Sequence, residues 1–336
     1  MPVATPKRAG SAWRRWSAQL LALVLTAGLA GAIQWWVGWR ALLQPWQQLA
    51  PLTIAATVAG ILLSHAMRAA RVGTALPEVR GGFMRVLRLV LQHNLYNTLL
   101  PMRAGEASFP LLLRRQYNIP VSRSVATLVV FRTLDLHTIL WLGLGAYAAL
   151  DRSAWWLAAA VAALAALVPG WLVARALQSH LDALPDRGRL THLLHTLLSG
   201  LPAEGRRFAA LWAWSAANWL IKLAALAWAL SALAGTGAGL AWISATLGDL
   251  SSVLPLHSWA GLGSYEAAVV AGLALGGLAP ETALPAALSL HLLLLGTSLA
   301  AGLAAQAIPQ GAPFAKANAS GHPEHERGAA SQGDTK

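Results

Sequence analysis

Cysteine is missing altogether from the 336 residues. That excludes disulfides, thiolate nucleophiles and cysteine metal sites. Charge is scarce as well: Asp, Glu, Lys and Arg make up 11% of the chain, against about 25% in soluble domains. Carboxylates are the rarest, 13 against 25 Lys and Arg, for a formal net charge of +12. The sequence has no Walker A lysine loop, no GxSxG elbow and no HExxH pair. A pump driven by its own ATPase is excluded within the chain, and an enzyme is the less favoured class. No cofactor and no metal are expected.

In place of these the chain has long apolar runs, with 56% hydrophobic residues and a mean hydropathy of +0.52. A bilayer core about 30 Å thick needs roughly 20 apolar residues at 1.5 Å each. Segments 17–37, 49–67, 126–150, 154–174, 208–233 and 284–308 reach or approach that length. The expected fold is an all-α polytopic membrane protein with six full transmembrane helices. Ala30-Gly31-Ala32 has the form of a signal-peptidase site, but the apolar run continues to Trp35, Trp36 and Trp39. Those are interfacial anchors, so the first helix is expected to be retained.

Basic residues alternate between loops. Lys7, Arg8, Arg14 and Arg15 precede the first span. Arg68, Arg71, Arg80, Arg85 and Arg88 fall in 68–88, and Arg175, Arg187, Arg189, Arg206 and Arg207 in 175–207. The intervening loops carry little charge. The positive-inside rule then places the basic N-terminus (1–16), both basic loops and, by parity, the C-terminus on the cytoplasmic side of a bacterial-type inner membrane. The same residues suit an anionic leaflet. No soluble basic domain carries them, so nucleic acid is not an expected partner. Within the integral domain 17–309, residues 177–206 read as an amphipathic linker striped by Leu190, Leu193, Leu194, Leu197 and Leu198. Residues 310–336 read as a disordered tail.

Two apolar regions are not simple spans. Residues 86–100 are too short and end at Pro101, followed by Arg103, Gly105 and Glu106. Residues 240–278 are interrupted at Pro255, Gly261, Gly263 and Glu266. Each break combines a helix-ending proline, glycine, and a glutamate that opens the next apolar segment. Two re-entrant hairpins are expected, entering from opposite faces in the pattern of an inverted repeat, with a site where the broken helices meet. Irregular backbone at that depth must be buried in protein or line a wet cavity.

Ionisable side chains within apolar segments cost at least about 2.5–3.5 kcal/mol each on insertion scales, so each is a candidate. They are Arg103, Glu106, Arg132, Asp135, Lys222, Asp249 and Glu266. Arg132 and Asp135, three apart on one helix face, are either a structural ion pair or a phosphate-binding arginine with its orienting carboxylate. Arg103 and Glu106 either reach the surface from a loop tip or sit at a helix start that attracts anions. Glu106 and Glu266 each remain open as structural group, headgroup ligand or proton carrier. Asp249 reads first as an interfacial residue, whereas Lys222 needs a partner or a cavity. Asn94 and Asn97 share a face before the first break. His93, His137, His257 and His291 read as hydrogen-bonded packing residues, and most of the 16 tryptophans as interfacial anchors.

Asn-x-x-x-Pro-x-Arg-x-Gly-Glu over 97–106, Arg-x-x-Asp over 132–135 and Pro…Gly-x-Gly-x-x-Glu over 255–266 occur in order. Together they resemble the transmembrane region of lysylphosphatidylglycerol synthases and the wider group of stand-alone flippase-like membrane proteins. The resemblance implies a domain that moves a phospholipid or polyprenyl-linked lipid between leaflets. It also implies a polar core of Arg103, Glu106, Arg132, Asp135 and Glu266; Asn97, read from its helix face, joins them as a headgroup-binding candidate suited to freed carbonyls or a sugar-like group. Phe109 stands where an arginine often follows, and Trp259-Ala260-Gly261 replaces a Pro-Gly-Gly opening. With no soluble synthase domain expected, synthase activity is not inferred. The alternative is a membrane enzyme or scaffold subunit working with a separate lipid-modifying transferase.

Overall fold

The computed structural model describes residues 31, 34–35, 38–47, 49–79, 82–183, 188–253 and 259–309. Among these every regular element is helical, with no strand. A short helix α1 (Trp39–Gln47) leads into α2 (Pro51–Ala75), whose first residue is a proline. Proline is suited there because its missing N–H would be unpaired anyway. Next come α3 (Phe83–Leu99), a 3₁₀ segment (Pro101–Ala107), α4 (Ser108–Tyr117) and the long α5 (Val121–Asp151). Helices α6 (Ala154–Ala165) and α7 (Leu167–Asp182) run on from each other, followed by α8 (Arg189–Leu198) and α9 (Gly205–Ala234). The chain closes with α10 (Ala238–Val253), a 3₁₀ turn (Trp259–Gly261), α11 (Ser264–Ala274) and α12 (Pro280–Ala304).

Five helical stretches among the described residues are long and apolar enough to cross a bilayer: Pro51–Ala75, Val121–Asp151, Ala154–Asp182, Gly205–Ala234 and Pro280–Ala307. They match five of the six expected spans. The first, 17–37, lies almost wholly outside the described residues, as do the tail 310–336 and Pro255. The protein is a multi-pass membrane protein.

The two interrupted regions fold as helical hairpins. Pro101 ends α3 because it cannot continue the hydrogen-bond ladder, and α4 returns to pack on α3. In the second, α11 packs back along α10, with Gly272 against Ser244. The two 3₁₀ tips touch each other, and the second tip also rests on α3. Between the hairpins run α2 and α9, which share the most extensive helix–helix contact. It is close because Gly60 faces Ala225, where a β-carbon on the glycine would come within 2.5 Å of the alanine's. Small residues permit such approach in lipid, where packing rather than water exclusion drives association. The first hairpin joins a core of Leu89, Phe109, Leu113, Phe131 and Leu211; the second joins one of Ile61, Leu226, Leu230, Val269 and Leu290.

The basic stretch 68–88 is not the loop its charges suggest. Helix α2 continues to Ala75 and α3 begins at Phe83, so Arg68 and Arg71 are helical, as are Arg85 and Arg88. No proline follows Pro51 until Pro77, and Arg68, Arg71 and Arg88, beyond the apolar window, have partners inside the fold. Arg88 is buried and donates to the Ile308 carbonyl at 2.6 Å. In the linker region α7 extends to Asp182, and no residue of α8 is buried.

Gly105 is required for steric reasons at the first tip. A β-carbon there would lie 2.5 Å from the Asn97 backbone nitrogen of α3. Gly105→Ala should destabilise the protein by about 1–3 kcal/mol, as overpacking does. Gly73→Ala in α2, with nothing within 4 Å of the added carbon, should be neutral or mildly stabilising. Thermal unfolding of both variants in detergent checks the contrast; equal shifts would remove the steric argument.

Candidate functional site

Where the two hairpin tips meet α2, α9 and α12, they enclose a cavity of about 140 Å³. A water needs roughly 10–15 Å³ of such space, so a small polar group fits. Glu106 and Gly261 come from the tips, Asn97 from α3, Arg132 from α5, and Arg68 and Lys222 from α2 and α9. Asn94 lies on the same wall as Asn97, three residues earlier on α3. The second tip is held in left-handed backbone at Ala260, Gly261 and Gly263. Gly263 is the residue before α11, and glycine adopts that conformation without a β-carbon clash.

Charge within this region is arranged as layered pairs. Asp135 is fully buried and accepts from both terminal nitrogens of Arg71, at 2.6 and 3.2 Å, and from the Trp219 indole at 2.9 Å. Arg71 also donates to Ser215 and lies 4.3 Å from the Phe131 ring centre. Arg132 approaches Asp135 only to 3.8 Å. Its other terminal nitrogen makes a short ion pair with Glu106. The expected Arg132–Asp135 contact therefore exists, but each residue has a closer partner elsewhere. Arg132 thus links α5 to the first tip.

The second oxygen of Glu106 has no hydrogen-bond partner, although His93 Nε2 lies 4.0 Å away. His93 is itself held by Ser108 at 2.8 Å and Asn97 at 3.3 Å. The side-chain oxygen of Asn97 is buried without a partner. Arg103 contributes its backbone to the first 3₁₀ segment; its side chain, like that of Pro101, lies outside the described residues.

Across the cavity Lys222 pairs with Asp249 at 2.7 Å, both buried. This answers what the lysine needs, and it makes Asp249 a buried ion-pair partner rather than the interfacial residue it first reads as. Glu266 is buried with both oxygens occupied: the Gly263 N–H donates at 2.7 Å and His291 Nδ1 lies at 2.7 Å. It therefore caps α11 and ties it to α12. His291 in turn stacks on Tyr265, ring centres 4.3 Å apart. Asp135 and Glu266 do not line the cavity; Asn97, Glu106, Arg132 and Gly261 do.

Sequence reasoning passed over Arg68, Arg71, His65, Ser215 and Asn218. For His65 and Arg68 the signal was periodicity: Ile61, His65, Arg68 and Val72 continue one helical face beyond the apolar window. Trp219 is a buried donor and not an interfacial anchor. By contrast Trp155 is largely exposed, as an anchor would be. His137 is hydrogen-bonded to the Ala163 carbonyl at 2.9 Å and receives the Trp212 indole. His257 lies outside the described residues. Among the described residues no group of three or more His, Asp or Glu is placed to hold a metal.

A family model described as the Lysylphosphatidylglycerol synthase TM region matches residues 19–302. The chain belongs to this family. No curated protein and no solved structure matches it. The family match covers every residue that lines the cavity, from Ile61 to Ser298.

Asp135→Asn should lower stability by about 3–5 kcal/mol, because it leaves the Arg71 guanidinium buried without its counter-ion. Replacing both partners by Arg71→Met and Asp135→Leu should recover most of that loss. The check is a double-mutant cycle on thermal or denaturant unfolding in detergent. A single substitution no more harmful than the double would remove the coupling.

Proposed function

We propose that the protein moves a lipid with a phosphate-bearing headgroup, a phospholipid or a polyprenyl-linked lipid, between leaflets of the inner membrane. The observation that carries this reading is the meeting of two interrupted hairpins on a polar cavity at Arg132–Glu106. In a bilayer such tips are tolerated where they line a wet space, and paired broken helices are the usual construction of a transporter site. The hairpins are then re-entrant from opposite faces, and each follows a long helix, α2 or α9, in the order expected of an inverted repeat. The headgroup enters the cavity while the acyl or prenyl chains stay in lipid.

In this mechanism Arg132 is the gate residue. At rest its charge is neutralised by Glu106 on the first tip, so no bare guanidinium stands in the cavity. An arriving phosphate exchanges one carboxylate for another anion, at little electrostatic cost. Glu106 is then released to accept a cationic part of the headgroup or a proton. Asn97 offers an amide oxygen to the same group, and Arg103 sits on the tip that moves. Asp135 and Glu266 hold the walls. The termini, the connection from α2 to α3 and the linker around α8 face the cytoplasm on the positive-inside rule. A partnership with a separate lipid-modifying transferase is compatible with the family's name and with this role.

The test is leaflet accessibility in proteoliposomes with headgroup-labelled phosphatidylglycerol and a polyprenyl-phosphate analogue. Wild type should accelerate exchange of one of them, and Glu106→Gln and Arg132→Ala should slow it by about tenfold or more, a change of at least about 1.4 kcal/mol. Thermal unfolding verifies that both variants are folded. Folded wild type that moves neither lipid sinks the reading. A lipid recovered chemically altered would assign the site to an enzyme instead.

A further inference from the structure

Arg68 differs from every other described cation at the cavity. Arg71 and Arg132 are paired with Asp135 and Glu106, and Lys222 with Asp249. Arg68 makes no ion pair with any described carboxylate. Its Nε donates to the neutral amide oxygen of Asn218 at 3.1 Å, and its guanidinium carbon stands 5.7 Å from the Trp219 ring centre. Both terminal nitrogens lack an acceptor among the described residues while the side chain lines the cavity. Three residues earlier on the same face of α2 is His65, 4% exposed, with neither ring nitrogen hydrogen-bonded. Histidine also lines the cavity at that point. Buried polar groups are normally satisfied, and an orphaned imidazole beside an uncompensated guanidinium asks for a ligand.

The balance of charge indicates which ligand. Among the described side chains that line the cavity, Arg68, Arg132 and Lys222 face Glu106 and Asp249, an excess of one positive charge. Glu266 is taken up separately by the Gly263 amide and His291. Arginine's planar fork matches two oxygens of a phosphoryl group, and here its orientation is fixed at Nε before a ligand arrives. We propose that Arg68, oriented by Asn218 and Trp219 and assisted by His65, is the first receptor for a singly charged phosphodiester in the lipid headgroup, which it holds before the phosphate exchanges onto Arg132 in the same cavity. This rests on the translocator reading and narrows it: a diester carries one negative charge and neutralises the excess, whereas a phosphomonoester brings up to two. Glycerophospholipids and polyprenyl phosphosugars both present a diester.

The full chain in detergent is assayed for binding of short-chain phosphatidylglycerol, a polyprenyl phosphosugar, phosphatidic acid as the monoester, and diacylglycerol as the phosphate-free control. At least one diester should bind more tightly than phosphatidic acid, with diacylglycerol weakest; which diester binds identifies the source. Arg68→Gln should weaken diester binding by about tenfold or more, and Arg68→Lys should recover part of it. Asn218→Asp is the decisive second variant, because it keeps Arg68 and supplies the carboxylate that the site lacks. It should abolish diester binding while the melting temperature holds or rises. Unchanged affinity in either Arg68→Gln or Asn218→Asp, or a preference for the monoester, overturns the proposal. The same variants in the proteoliposome assay separate the two claims. Arg68-dependent binding without leaflet exchange keeps the site and removes the translocator. Exchange that ignores Arg68→Gln keeps the translocator and removes the site.

Discussion

The carboxylate of Asp135 is the constraint on which the rest of the interior depends. It is completely enclosed, and a charge so placed is tolerable only with several well-aligned donors. Arg71 of α2 and Trp219 of α9 supply them, so three long helices are locked in rotation and depth at a single point. Because Arg71 saturates Asp135, Arg132 on the same face of α5 is left with a terminal nitrogen for Glu106. The position of the first hairpin tip thus follows from a pair one turn away. A bundle held this way needs little hydrophobic drive, which lipid does not provide between helices.

The second hairpin is secured by similar means with different residues. Lys222 and Asp249 join α9 to α10, and Glu266 joins α11 to its own first turn and to α12. In both halves a glutamate just past the break is tied to an ionisable partner on a long helix: Arg132 for Glu106, His291 for Glu266. The difference lies in exposure. Glu106 retains a free oxygen at the cavity, whereas Glu266 has none. One half is built to be held, and the other keeps a contact that can be exchanged. The uncommitted donors of Arg68 lie between them.

Legibility varied with the kind of signal. The hairpins were readable because Pro101 and the glycines of both tips leave conformational marks that no tertiary context erases. The cost of charge in an apolar run picked out Arg132, Asp135, Glu106 and Lys222 before any contact was known. Arg68 and Arg71 were hidden by the opposite assumption, that arginines at the end of an apolar window belong to a loop. A guanidinium paired inside a bundle and one facing the cytoplasm look alike in a hydropathy profile. Trp219 was obscured in the same way by the many tryptophans that do mark span ends.

The sequence by itself determined the membrane class, the helical state, the positions of both breaks and the short roster of costly charges. Each of these follows from local chemistry: chain length against bilayer thickness, missing amide hydrogens, and desolvation of single groups. Only the tertiary structure decided which charge answers which. Asp135 went to Arg71, Arg132 to Glu106, and Lys222 to Asp249, while Arg68 was left with an amide. Pairing across 26 to 64 residues of chain depends on which helices pack together and at what rotation. That is set by the small-residue contacts of α2 with α9 and of α10 with α11, and by the meeting of the hairpin tips.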